Sequence, residues 1–253
     1  MYNQNSSRRN FVKLAALAGV ATIGNTAAVF AETNNEVNAK VKLEKGSIIL
    51  FQGDSITNAG RDYNNKQPNN TGGIGSGYAY LAAAQLLQAH ANKNLTIYNR
   101  GIAGNKVFSL LDRWQADCLD IKPDILSIYI GVNDYWATVS FGYKATIKTY
   151  KDDYKKLLDQ TKQKLPNVKL IIGEPFGVLG VEHVVASWYP AFNEFREAAK
   201  DLAATYGATF IPNQQIFDTA QKEAPGIYWT EDGVHPTIAG SQLLANAWLK
   251  AIK

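Results

Sequence analysis

The run Ile125-Leu126-Ser127-Ile128-Tyr129-Ile130 offers almost nothing for water to hydrogen-bond to. Too short for a buried helix and free of glycine and proline, it reads as a strand covered on both faces. Strands of that kind belong to parallel sheets with helices packed on each side. Similar runs lie at 48–51, 95–98, 168–172 and 209–211. Between them, apolar residues recur at helical spacing over 78–91, 107–119, 148–165 and 190–206, then over a short stretch at 216–222 and finally at 238–252. Pro166 closes one of these helices and Gly207 stops another. Strands alternating with helices imply right-handed crossovers. The predicted fold is therefore α/β, a flavodoxin-like three-layer sandwich. Its five-stranded parallel sheet has the order 2-1-3-4-5, with helices on both faces.

A chain of 253 residues with 46% hydrophobic residues suits one domain with a sizeable core. Its amino terminus has a different character. Ser7-Arg8-Arg9-Asn10-Phe11-Val12-Lys13 carries the twin-arginine pattern, and a moderately apolar run follows to Phe30. Gly19, Thr22, Gly24, Asn25 and Thr26 make that run too polar for a good membrane anchor. Val29-Phe30-Ala31 offers a small-residue cleavage site. Residues 1–31 are thus expected to be a twin-arginine export signal, the alternative being an uncleaved anchor. Residues 32–46 are expected to be a polar linker, and 47–253 the folded domain. The expected location is outside the cytoplasm of a bacterial cell, periplasmic or extracellular, with no stable membrane span after processing.

Removing residues 1–31 leaves 23 of the 26 basic residues against 22 acidic ones, a net of +1. The formal charge of +4 therefore argues for no nucleic-acid partner. The single cysteine, Cys118, cannot form an internal disulfide and sits beside Trp114 and Leu119 on an amphipathic stretch. It reads as a packing thiol.

Polar motifs follow the strands. Gly53-Asp54-Ser55 ends the first, Gly101-Ile102-Ala103-Gly104-Asn105 follows the second, and Gly131-Val132-Asn133-Asp134 the third. Asp232-Gly233-Val234-His235-Pro236 precedes the last helix. All would gather at the carboxyl edge of the sheet, where open α/β sheets bind ligands. A serine hydroxyl needs a base to become a nucleophile. Of the three histidines, His90 sits at a helix end and His183 lies in a loop without a fixed acidic partner. His235 has Asp232 three residues before it, with Gly233 allowing a tight bend. The Asp232 carboxylate can then reach Nδ1 and leave Nε2 for Ser55. The alternative is that Asp232 only caps the last helix. The backbone N–H groups of Ser55 and Gly104 and the side-chain amide of Asn133 could hold an oxyanion, Gly104 because it brings no Cβ. A lone carboxylate–histidine pair is a poor metal site, so neither metal nor cofactor is expected.

Together these four motifs resemble those of the SGNH hydrolases, a branch of the GDSL esterases. The resemblance runs from about Ile48 to Leu249. It implies Ser55 as nucleophile, His235 as base, Asp232 as its orienting acid, and an oxyanion hole of Ser55, Gly104 and Asn133. Gly53 to Arg61, Gly75-Ser76-Gly77-Tyr78, Asn99-Arg100-Gly101, Arg113-Trp114 and Asn133-Asp134-Tyr135-Trp136 look like bacterial xylan and xylo-oligosaccharide acetylesterases. Two positions depart from that subgroup. Ala103 replaces a serine, and Thr230-Glu231 separate Trp229 from Asp232, where tryptophan and acid are adjacent in the subgroup.

Asp54 is expected to contact substrate. Trp136 and Trp229 are expected in loops beside the site, suited to stacking on sugars or walling a small acyl pocket. Trp188-Tyr189 could reach the same edge, whereas Trp114 reads as core. No long apolar insertion could form a lipid channel. The expected function is removal of O-acetyl groups from carbohydrates (xylan or xylo-oligosaccharide type) through an acyl-serine intermediate, with an acetylated oligosaccharide or another small ester as substrate; the oligomeric state stays open. The alternatives are a general short-chain or lysophospholipid esterase with the same triad, and a glycan-binding protein on an inactive esterase fold.

Overall fold

The structure, a computed structural model, describes residues 40–253. The expected export signal and most of the expected linker lie outside the described residues. Of that linker, residues 40–46 are described, and they pack rather than trail. Val41 pairs with Ile252, and Leu43 is fully buried.

Five parallel strands form the sheet: β1 (Ile48–Gly53), β2 (Thr96–Asn99), β3 (Ile125–Tyr129), β4 (Lys169–Gly173) and β5 (Thr209–Ile211). Their order is β2-β1-β3-β4-β5, the flavodoxin-like order expected of five such strands. β3 is buried at every residue because it lies at the centre, between β1 and β4. The helices are α1 (Ser55–Asn58), α2 (Thr71–Ile74), α3 (Tyr78–Ala89), α4 (Val107–Trp114), α5 (Val132–Ser140), α6 (Ile147–Lys164), α7 (Ala191–Thr205), α8 (Asn213–Ala220), α9 (Gly226–Trp229) and α10 (Ile238–Lys250).

Helices α3 and α10 pack together over one face of the sheet. There the Phe51 ring meets Tyr78 and Trp248, and Trp248 Nε1 donates to Ser127 Oγ at 2.9 Å. On the other face α4 packs on α6, where Trp114 Nε1 donates to Thr161 Oγ1 at 2.9 Å. That bond satisfies the indole of a fully buried residue. After Trp114 the chain makes one π-helical turn, Gln115–Leu119, that buries Cys118.

The long segment at 61–76 covers the free edge of β2. Asn69 accepts from Ile97 N through Oδ1 at 2.8 Å, and it donates to Ile97 O and Leu95 O. An edge strand left bare would invite pairing with another chain. Four helices were not expected: the short α1 and α2, α5 over the stretch read as a loop at Asn133-Asp134, and α9, which ends at Trp229. Trp136 and Trp229 are therefore helical residues. Among the described residues no helix is long and apolar enough to cross a membrane.

Candidate active site

Ser55 opens α1 directly after β1. A Cβ on Gly53 would fall on the Tyr129 carbonyl and the Thr57 hydroxyl, so only glycine lets the chain turn that tightly off the strand. Below the turn, Asn99 at the end of β2 joins three segments. Its Nδ2 donates to Thr57 O at 2.6 Å and Ile74 O at 2.7 Å, while its Oδ1 accepts from Gly101 N at 2.8 Å.

Residues 230–236 form a closed loop. A bridge between Thr230 and Pro236 shuts its base, and Glu231 N donates to His235 O at 2.8 Å. Inside it, Asp232 Oδ1 accepts from Val234 N at 2.9 Å and His235 N at 2.7 Å. Its Oδ2 lies 2.6 Å from His235 Nδ1, and His235 Nε2 lies 2.8 Å from Ser55 Oγ. The carboxylate can only accept, so Nδ1 carries the proton and Nε2 is left to receive one from Ser55. Asp232 does not cap the last helix; Thr237 does, accepting from Gly240 N through Oγ1 at 3.2 Å.

The charges of this pair support one another. The Asp232 hydrogen bond is the main reason His235 is raised above the ordinary imidazole value of 6.5, against partial burial. Burial alone would raise Asp232, but the His235 ring and two backbone N–H groups hold it down at about 2.

The oxyanion candidates come together at the same edge. Gly104 takes a φ of +74° in an exposed turn, and a Cβ there would meet nothing within 4 Å. The backbone angle favours glycine there, and no protein atom crowds the position. Asn133, on the first turn of α5, donates through Nδ2 to Asn105 O at 3.2 Å. An amide nitrogen has two hydrogens, so one remains to meet a ligand. Its neighbour Asp134 is buried and accepts from Val107 N through Oδ1 at 3.1 Å, tying α5 to the start of α4.

Asp54 was expected to bind substrate, and here the structure differs. It is 1% exposed and caps α1, with Oδ1 accepting from Ile56 N at 3.0 Å. The short polar side chain after a strand turned inward because an unpaired helix N–H needed an acceptor. Burial pushes its carboxyl from 3.8 up to about 7, against the Ile56 bond and the His235 charge. A folded-state value above the unfolded one means that ionisation costs stability as pH rises between those two values. Asp54→Asn keeps the cap without the ionisation. Its stability relative to wild type is expected to improve steadily from pH 3.8 to pH 7 and then level off, read from urea midpoints. A difference that does not vary with pH would mean that Asp54 does not titrate there.

Trp136 adjoins the triad, its ring 6.3 Å from His235. It also lies 5.0 Å from the His183 ring and 6.0 Å from Phe141, which is 74% exposed. Trp229 turns elsewhere: Nε1 donates to Ala224 O at 3.1 Å, and its carbonyl accepts from Thr237 N at 3.0 Å. The two residues that separate it from Asp232 place it at the base of the 230–236 loop. Trp188 is buried against Tyr135, Trp136 and Phe192.

His183 was set aside on sequence for want of a fixed acid. The structure brings it to the site on a segment that buttresses the acid–base loop. Its N–H donates to Asp232 O at 3.0 Å, and Val178 N donates to Gly233 O at 2.8 Å. Gly177, Gly180 and the valines gave no periodic signal, because this segment folds by docking on the loop rather than by local pattern.

A serine bonded to an imidazole that is bonded to a carboxylate is a hydrolase arrangement. The chain belongs to the GDSL-like Lipase/Acylhydrolase family, whose model matches residues 51–243. It is a carboxylic ester hydrolase. It is 31% identical over 217 residues to an acetylxylan esterase of Geobacillus stearothermophilus, covering 84% of this chain and 96% of that one. Among solved structures, a GDSL-like lipase from Parabacteroides merdae is similar at a TM-score of 0.82 and 49% identity, over 84% of this chain and 98% of that one. The Geobacillus esterase superposes with a TM-score of 0.76 at 28% identity, over 83% of this chain and 96% of that one, in a catalytic mutant with an aspartate replaced by alanine. A second catalytic mutant of that enzyme replaces a serine.

Proposed function

We propose that this chain removes O-acetyl groups from xylan-type carbohydrates through an acyl-serine intermediate. The observation that carries this reading is the continuous relay Ser55–His235–Asp232, at 2.8 Å and 2.6 Å, opening beside Trp136. As Ser55 Oγ attacks the acetyl carbonyl, His235 Nε2 takes its proton. Asp232 holds the ring and stabilises the imidazolium. The N–H groups of Ser55 and Gly104 and the second hydrogen of Asn133 Nδ2 receive the oxyanion. His235 then protonates the departing sugar oxygen, and water enters by the same route in reverse to release acetate.

The substrate class rests on similarity to an acetylxylan esterase and on Trp136, whose ring lies against Phe141, His183 and His235. The C–H face of a pyranose packs on such rings, and Glu182, 3.4 Å from His183, offers an acceptor to its hydroxyls. Export through the signal over residues 1–31 belongs to the same proposal, since acetylated xylan is met outside the cell. Cell fractionation with a Arg8→Lys, Arg9→Lys variant tests it.

Acetate release from acetylated xylo-oligosaccharides is to be compared with nitrophenyl esters from acetyl to octanoyl. Fast glycan deacetylation with rates dropping beyond short chains is expected. Poor glycan turnover with rates that hold toward octanoyl would point instead to a general short-chain or lysophospholipid esterase.

A further inference from the structure

Three guanidinium groups converge on the segment that carries Gly104. Arg61 Nε donates to Gly101 O at 2.7 Å. Arg100 Nη1 donates to Asn99 O at 3.1 Å. Arg113 Nε donates to Asn105 Oδ1 at 2.9 Å. A carboxylate beside them, Asp117, pairs with Arg113 Nη1 at 2.9 Å and lies 4.0 Å from Arg100. Arg61 and Arg100 bind backbone carbonyls at the near end of the segment. Arg113 alone of the three bonds a side chain of that segment, and it is the side chain of the residue next to Gly104.

Asn105 is the junction. Its N–H donates to Ile102 O at 3.2 Å, closing the turn that holds Gly104. Its carbonyl accepts from Asn133 Nδ2 at 3.2 Å. Its side chain is fixed by Arg113. The chain of bonds continues beyond the arginine: Asp117 O accepts from Gln52 Nε2 at 2.7 Å, and Gln52 lies on β1, which leads into Ser55. The exits of β1, β2 and β3 are thereby joined through one arginine at the far end of α4.

We propose that Arg113, held by Asp117, is a positioning residue for the oxyanion hole. It acts through Asn105 to aim the Gly104 N–H and the free hydrogen of Asn133 Nδ2. This rests on the role proposed for those donors in acyl transfer. The bond from Asn133 to the Asn105 carbonyl commits one amide hydrogen and thereby sets the direction of the other. A carbonyl on an exposed glycine turn would not hold that direction by itself. The Arg113 bond removes the freedom of Asn105 to rotate. Arg113 also keeps a buried Nη2 without a partner among the described residues, a cost that packing alone does not explain.

The test is a set of double-mutant cycles on nitrophenyl acetate, with Asn105→Ala as the principal variant and Arg113→Ala and Arg113→Lys beside it. Asn105→Ala keeps the Arg113–Asp117 pair in place. A misplaced donor can cost about 10²-fold, so Asn105→Ala and Arg113→Ala are each expected to lower kcat by about 10- to 10²-fold with KM little changed. Arg113→Lys, which keeps one donor, is expected to recover part of the loss. In an Asn133→Ala background, Asn105→Ala is expected to cost only a few-fold, because one of the two donors it aims is gone. Equal losses in both backgrounds would overturn the proposal. So would a kcat restored to wild type once the folded fraction, read by circular dichroism, is corrected for. If Ser55→Ala proved fully active, the acyl-transfer reading itself would fail, an outcome distinct from either of these.

Discussion

Ser55→Ala and His235→Ala are each expected to lower kcat on nitrophenyl acetate by about 10⁶, the loss that serine triads show when nucleophile or base is removed. The two side chains act as one unit. Without Oγ there is no atom to acylate, and without Nε2 the hydroxyl keeps its proton. Ser55→Ala/His235→Ala is therefore expected to be no slower than either single variant. The variants are expected to keep their fold, since both side chains lie at the mouth of the site and His235 is 36% exposed. The residual rate over water would come from the donors around Gly104 and Asn133. A loss below tenfold for either variant would mean that another group does the chemistry.

The second large effect is expected at Asp232. Asp232→Ala should lower kcat by about 10⁴, less than loss of the base, because the carboxylate orients and stabilises the ring without touching substrate. The pH profile separates this role from simple packing. His235 works as a base only when neutral. Its hydrogen bond to Asp232 raises its affinity for a proton. The wild-type kcat/KM is therefore expected to fall, as pH is lowered, through a midpoint above the ordinary 6.5. Asp232→Asn keeps the volume and loses the charge, so that midpoint is expected to move down. A midpoint that stays where it is would separate Asp232 from the titration of His235.

Much of this was legible in the chain because the strands are apolar runs bounded by strong stops. β5 at Thr209–Ile211 falls where the run 209–211 places it, and the strand order is the flavodoxin-like one that five alternating strands suggest. The triad residues were legible because Gly-Asp-Ser and Asp-Gly-Val-His-Pro are local, rigid turns whose chemistry is written in neighbouring residues. What escaped is set by tertiary contact. Helix α5 is built from Val132, Asn133, Tyr135, Trp136, Thr138 and Val139, residues with poor helix propensity. It forms because the exit of β3 needs a helix there and Asp134 pins it to α4. Asp54 was expected to contact substrate, but its carboxylate turned inward to cap α1. Trp229 is close to Asp232 in sequence and belongs to the base of the loop in space. His183 could be linked to the site only once the 177–184 segment was seen bonded to the loop of Asp232. Asn105 and Arg113 each belong to a quoted motif, but their contact spans eight residues. No side-chain pattern announces such a bond.

The most direct measurement is the covalent trapping of the nucleophile. The protein is treated with a fluorophosphonate ester, which reacts with a serine activated by a base and sheltered by oxyanion donors. Peptide mass spectrometry then locates the adduct. One adduct per chain, on the peptide containing Ser55, with none formed by Ser55→Ala or His235→Ala, is the expected result. Loss of activity without an adduct on Ser55, or an adduct on another residue that tracks the loss of activity, would contradict Ser55 as the acyl-bearing residue.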